Sequence, residues 1–242
     1  MPIGIFVNAC AIIFGGIVGV LLGKKLTLEF KESLNMVFGA CAMTMGISSI
    51  ILMKNMPAVI FATIVGTAIG LAFHLQKRIN AGCGWMEKVV SAIFPRKQSG
   101  ISNEEYKQTL STIIVLFCAS GTGIYGSIVS GMTGEQSILI SKSILDFFTA
   151  MIFAALLGAV VSFIAIPQCI LFLFLFFFAG VIYPMTTPDM IDDFKAVGGI
   201  LLLATGFRMI RVKMFPTADM LPAMILAMPC SWLWTKFLIP LF

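Results

Sequence analysis

Read from Met1, the apolar residues of this chain fall in runs of about twenty, the length at which an α-helix crosses a hydrocarbon core. Short polar or glycine- and proline-rich stretches separate the runs. The pattern predicts helices at 3–23, 34–53, 57–75, 109–130, 143–166, 168–185, 195–212 and 219–240. The fifth and sixth form one long apolar stretch broken only at Pro167-Gln168. Proline removes a helix hydrogen bond, so a tight helical hairpin is expected there. Eight spans follow, or seven if that stretch is crossed once.

Composition agrees with the pattern. Of 242 residues, 59% are hydrophobic and 11% charged, whereas a soluble domain is about half apolar and a quarter charged. The expected fold class is therefore all-α, a polytopic transmembrane helix bundle forming one domain over 1–242 in the lipid bilayer. The first run lacks a basic start and a small-residue cleavage site, so it is expected to be retained.

The net charge of +5 would suit nucleic acid, but its distribution excludes that partner, because the basic residues flank apolar spans. Lys24, Lys25 and Lys31 follow the first span, and Lys77, Arg78, Lys88, Arg96, Lys97 and Lys107 follow the third. Arg208, Arg211 and Lys213 follow the seventh, whereas the sixth loop is acidic at Asp189, Asp192 and Asp193. The positive-inside rule then places the 76–108 loop in the cytoplasm and both termini outside. Within that loop Trp85, Met86, Val89, Val90, Ile93 and Phe94 share one face of a helix, amphipathic as an interfacial helix is; a helix packed under the bundle has the same pattern.

The sequence also carries an internal match. Phe38-Gly39 followed by Gly46-Ile47 has the glycine spacing of Gly198-Gly199 followed by Gly206-Phe207. The next spans open alike, Met56-Pro57-Ala58-Val59-Ile60 against Leu221-Pro222-Ala223-Met224-Ile225. An odd number of helices separates the copies, so the two hairpins should cross in opposite directions. The match predicts an inverted repeat relating spans 1–3 to 6–8, a common framework of secondary transporters.

Polar chemistry concentrates in the central helices. Ser120-Gly121-Thr122-Gly123-Ile124-Tyr125-Gly126-Ser127 places hydroxyls and glycines at lipid depth, a run that weakens a helix. A small-residue packing face is the alternative. Lys142 and Asp146, four residues apart on one helix face with Ser143 between them, can meet and neutralise each other. Asp146 is the only acid expected well inside a span, where an isolated charge costs about 2.5–3.5 kcal/mol. The bland reading is a lysine snorkelling to the interface with Asp146 as its structural partner. Lys142, Asp146, Ser143, Thr122, Tyr125, Ser127 and Asn8 are the expected substrate- or ion-binding residues. Gly15, Gly19 and Gly23, and Gly66 and Gly70, have the spacing of close helix contact or of a homodimer face.

No phosphate loop, nucleophile elbow, H-E-x-x-H or clustered Cys/His set occurs. The six cysteines stand singly, and Cys83 falls in a polar loop. Neither catalysis nor a cofactor nor a protein metal site is expected. Val7-Asn8 followed by Phe14-Gly15-Gly16 and Gly19, together with Gly131-Met132-Thr133-Gly134 and Lys142-Ser143-Ile144-Leu145-Asp146, resembles the YdfK/YqgA-like family of bacterial inner-membrane proteins, a domain family of unknown function. That resemblance spans essentially the whole chain and implies a shared fold and location without an established activity. A secondary transporter of a small polar or ionic solute is the favoured expectation; a channel or a non-transporting membrane scaffold are the alternatives.

Overall fold

The computed structural model describes residues 1–22, 27–81, 103–118, 120–210, 212–238 and 240. Among them the regular structure is helical throughout. The elements are α1 (Ile3–Leu22), α2 (Leu28–Ile50), α3 (Met56–Ala72), α4 (Leu75–Ala81), α5 (Asn103–Cys118), α6 (Gly121–Thr133), α7 (Ser137–Leu157), α8 (Val160–Phe163), α9 (Ala165–Ile182), α10 (Pro188–Met209) and α11 (Leu221–Leu233). A π-helical turn, Trp234–Leu238, continues α11. Five described helical stretches are long and apolar enough to cross a membrane, and the α3–α4 pair, bent by 57°, passes the same test when its two helices are taken as one span. On α9, Phe174, Phe177, Phe178 and Val181 are 55–72% exposed, which apolar side chains tolerate in lipid and not in water. Most of the 76–108 loop, including the expected interfacial helix and Cys83, lies outside the described residues.

Helices α2 and α7 each start six residues before the expected 34 and 143, and three further boundaries differ for a clear physical reason. The fourth span is two helices, α5 and α6, with Ser120 extended just before α6 (φ −72°, ψ 133°). Ser120 caps α6, its Oγ accepting the Gly123 N–H at 3.1 Å, so the glycine-hydroxyl run is helical from Gly121 onward and the weakness is confined to its first residue. The hairpin between the fifth and sixth spans is not at Pro167-Gln168. The chain turns at Gly158, whose φ of 81° and ψ of −158° are open to glycine alone, and passes through the short α8. Pro167 then falls in the first turn of α9, where a helix has no use for the missing N–H. Finally, α10 begins at Pro188, with the Thr187 hydroxyl accepting the Met190 N–H and proline at the helix start. Asp189, Asp192 and Asp193 are therefore helical residues rather than a loop.

The chain divides into two compact units, residues 1–34 with 78–180 and residues 35–77 with 181–242. In the first, α1 runs parallel to α7: Gly4 faces Leu139, Gly15 faces the Phe147 carbonyl and Gly19 the Met151 carbonyl. Any side chain at Gly15 or Gly19 would strike that backbone, which is why the two axes can approach so closely. A core of Ile12, Leu110, Ile113, Phe117, Ala150 and Ile164 fills the space among α1, α5, α7 and the α8–α9 corner.

In the second unit α2 and α10 run antiparallel through four glycines. A methyl placed on Gly46 would stand 2.6 Å from the Gly199 carbonyl oxygen, and one on Gly199 would stand 2.6 Å from the Gly46 oxygen. Gly39 and Gly206 face each other in the same reciprocal way, at 3.0 and 2.7 Å. Helices α3 and α11 are also antiparallel, with Gly66 against Ala223, Gly70 against the Asp219 carbonyl, and Asn55 Nδ2 donating to Thr235 Oγ1 at 3.4 Å.

Candidate functional site

The first unit buries an ion pair where α1, α5, α7 and α9 meet. Lys142 Nζ donates to both oxygens of Asp146, at 2.8 and 2.7 Å, one helical turn apart on α7. Their side chains are 4% and 9% exposed. Asp146 lies nine residues into the 21-residue α7, about 14 Å along a helix rising 1.5 Å per residue, close to the helix's midpoint.

Two carboxamides complete the cluster. Asn8 Nδ2 donates to Asp146 Oδ2 at 2.8 Å, and Gln168 Nε2 donates to Asn8 Oδ1 at 2.9 Å. Gln168 Nε2 also reaches the Phe117 carbonyl oxygen at 3.2 Å and Asp146 Oδ2 at 3.4 Å. The Phe117 carbonyl is available because α5 stops at Cys118: its partner in an unbroken helix would be the N–H of Gly121. The break in the fourth span thus supplies the site with a backbone acceptor. Gln168 is 1% exposed and its Oε1 is buried without a hydrogen-bond partner.

Of the residues expected from sequence, Lys142, Asp146 and Asn8 are brought together by direct hydrogen bonds. Ser143 and Ser127 are buried, but each hydroxyl donates back to its own helix, to Leu139 O at 2.6 Å and to Gly123 O at 2.7 Å. Thr122 and Tyr125 are buried on α6, Tyr125 completely. Gln168 escapes a reading that makes Pro167 a turn; a proline three places into an apolar run, taken as a first-turn residue, leaves Gln168 inside the helix. Phe117 is a backbone contribution, signalled in sequence only by the helix-weakening residues that follow it.

The second unit holds another buried carboxylate that the sequence does not distinguish from its acidic neighbours. Asp193 is 0% exposed. Its Oδ1 accepts the backbone N–H groups of Lys54 and Asn55, both at 2.9 Å, and its Oδ2 accepts Asn55 Nδ2 at 2.9 Å and Ser231 Oγ at 2.6 Å. Four donors saturate it, three from Lys54 and Asn55 in the turn that opens α3 and one from Ser231 on α11, so Asp193 ties α10 and α11 to that turn. Asp192, beside it, lies 3.8 Å from Lys54 Nζ.

The chain is similar to known proteins along nearly its full length. The family model described as a protein of unknown function (DUF554) matches residues 3–232. The uncharacterized protein YqgA of Escherichia coli (strain K12) is 47% identical over 98% of this chain and 99% of that protein. The uncharacterized membrane protein YdfK of Bacillus subtilis (strain 168) is 26% identical over 92% and 93%. No solved structure matches the chain. A family match over almost every residue, joined by a relative nearly half identical from end to end, means that this chain belongs to the DUF554 family.

Proposed function

We propose that this chain is a secondary transporter of a small polar or ionic solute, set in the bacterial inner membrane with both termini outside, and that Asp146 with Lys142 is its coupling site. The observation that carries this reading is the buried pair itself. A charge pair, two carboxamides and a freed helix-end carbonyl meet beside a helix break, at a depth where ionisable groups are costly unless they work. Broken helices whose ends face ions or polar groups are the hallmark of such sites.

The helix inventory supports eight crossings. To the five apolar spans and the bent α3–α4 pair are added α5–α6, whose halves are each too short alone, and α10, which is long enough but carries Asp192, Asp193 and Lys195 in its first half. The reciprocal glycine contacts of α2 and α10 favour the inverted repeat, because Gly39 and Gly46 play toward Gly206 and Gly199 the part that those two play in return. The tight backbone contacts at Gly15, Gly19, Gly66 and Gly70 favour a second reading, a non-transporting scaffold whose interior is simply packed.

A thermal-shift panel of amino acids, organic acids, sugars and cations on the detergent-purified chain separates the two, since a ligand of the native state raises apparent stability. The hits are then tested for solute-driven currents in proteoliposomes. A current that is lost in Asp146→Asn supports transport. No stabilisation and no current across the panel would leave the scaffold.

A further inference from the structure

We infer that the oxygens gathered around the Gln168 carboxamide form a binding site for a sodium-sized monovalent cation, which the Lys142 ammonium now holds closed. This rests on the transport reading for its purpose, and the binding itself does not require it. One nitrogen, Gln168 Nε2, faces three acceptors from three different helices: Asn8 Oδ1 at 2.9 Å, Phe117 O at 3.2 Å and Asp146 Oδ2 at 3.4 Å. An amide nitrogen has two protons, so it cannot serve all three. Its own oxygen, on the same carbon, is buried without a partner.

A half-turn of that carboxamide would exchange the two atoms. Oε1 would then join Asn8 Oδ1, Phe117 O and Asp146 Oδ2, making four oxygens with no donor among them. Such a set repels itself unless a cation sits inside it, and then all four oxygens have a partner, the former orphan included. The ligand type selects the ion. All four are hard oxygens and one is charged, which suits an alkali ion, and among the described residues no three His, Cys, Asp or Glu side chains gather to hold a transition metal. The carbonyl at the end of α5 brings the negative end of a helix dipole as well.

Charge balance makes Lys142 the competitor. With the ammonium on Asp146 the cluster is neutral, so a second cation enters only as the first leaves. Lys142 lies one turn nearer the start of α7 and has the reach to withdraw along it. Its withdrawal and the entry of the ion are two halves of one exchange, which gives alternating access a charge-neutral step at lipid depth.

The test is sodium-dependent stability of the full chain in detergent, read by tryptophan fluorescence during heating, in NaCl, KCl or choline chloride at one ionic strength. Lys142→Met, purified in NaCl throughout and then exchanged, removes the competitor. A site open in only about a tenth of molecules binds about tenfold more weakly than one always open. The sodium concentration giving half of the Tm rise should therefore fall about tenfold or more in Lys142→Met. Gln168→Leu, which leaves both members of the ion pair in place, should abolish the sodium response. An equal response to potassium or choline overturns the inference, as does a Lys142→Met protein stabilised only by acidification, since Asp146 would then take a proton instead. If Lys142→Met does not fold in any salt, an unaltered sodium response in Gln168→Leu overturns it alone. Solute currents without any sodium response would end this inference and leave transport standing; a sodium response without currents would do the reverse.

Discussion

Removing the charge on Asp146 at constant volume should separate what the pair does for the fold from what it does for function. In Asp146→Asn the ammonium of Lys142, now 2.7 and 2.8 Å from two carboxylate oxygens and almost wholly buried, is left against a neutral amide. Stranding one member of a buried pair costs about 3–5 kcal/mol. The double variant Lys142→Met/Asp146→Asn removes both charges. The oxygen of the introduced amide can still accept from Asn8 Nδ2, so the residual cost is that of an imperfectly satisfied polar group, about 1–3 kcal/mol. The cycle should accordingly show a coupling of about 2 kcal/mol or more. Unfolding free energies of the four proteins in mixed anionic and neutral detergent micelles measure it, and solute currents in proteoliposomes measure function. The expected outcome is a double variant that regains most of the stability and none of the transport. A double variant that transports as the parent does would refute a working role for the pair, and one no more stable than Asp146→Asn would refute the electrostatic account of the loss.

Three further outcomes are expected. Gly199→Ala and Gly46→Ala should each cost about 1–3 kcal/mol, because either methyl meets backbone 2.6 Å away that cannot rotate aside; micellar unfolding checks it, and a neutral result for both would mean that α2 and α10 do not touch there. Asp193→Asn places an amide nitrogen among four donors and should cost about 2–4 kcal/mol while leaving any sodium response intact, which the same heating assay reads. A cysteine at Ser99 in a cysteine-free background should resist an impermeant thiol reagent applied to whole cells, and labelling from outside would reverse the proposed orientation.

The length and placement of the helices are legible because lipid depth imposes its period on the sequence; α1 and α3 lie where the apolar runs put them, and α2 covers its run but starts six residues sooner, at Leu28 rather than 34. The pair on α7 is legible for a local reason, since residues four apart on one helix must meet. What escapes is set by contacts between distant segments or by one backbone torsion. Gly158 turns the chain, yet with 22 glycines in the sequence nothing marks it above Pro167, whose effect depends on its position within a helix. Gln168 therefore looks like a turn residue. Asp193 is one of three acids close together, and only the packing of α10 against the α2–α3 turn decides which of them is buried. The Thr187-Pro188 start of α10 is a readable cap signal that puts all three acids inside the helix.

Because both charges of the pair belong to one helix, order of synthesis matters to this protein. Asn8 and Asp146 are 138 residues apart in the chain, and at about 5–20 residues per second the ribosome takes roughly 7–28 s to cover that distance. A carboxylate that depended on α1 for its neutralisation would have to enter lipid at full cost, or wait outside. Asp146 does neither, since Lys142 is made four residues ahead of it and closes the pair as soon as the turn forms. Helix α7 can thus leave the translocon as a neutral unit, find the waiting Asn8, and hold its place until Gln168 emerges 22 residues later to finish the cluster. Moving the lysine to a neighbouring helix could preserve every bond of the finished site and still leave a chain that inserts poorly.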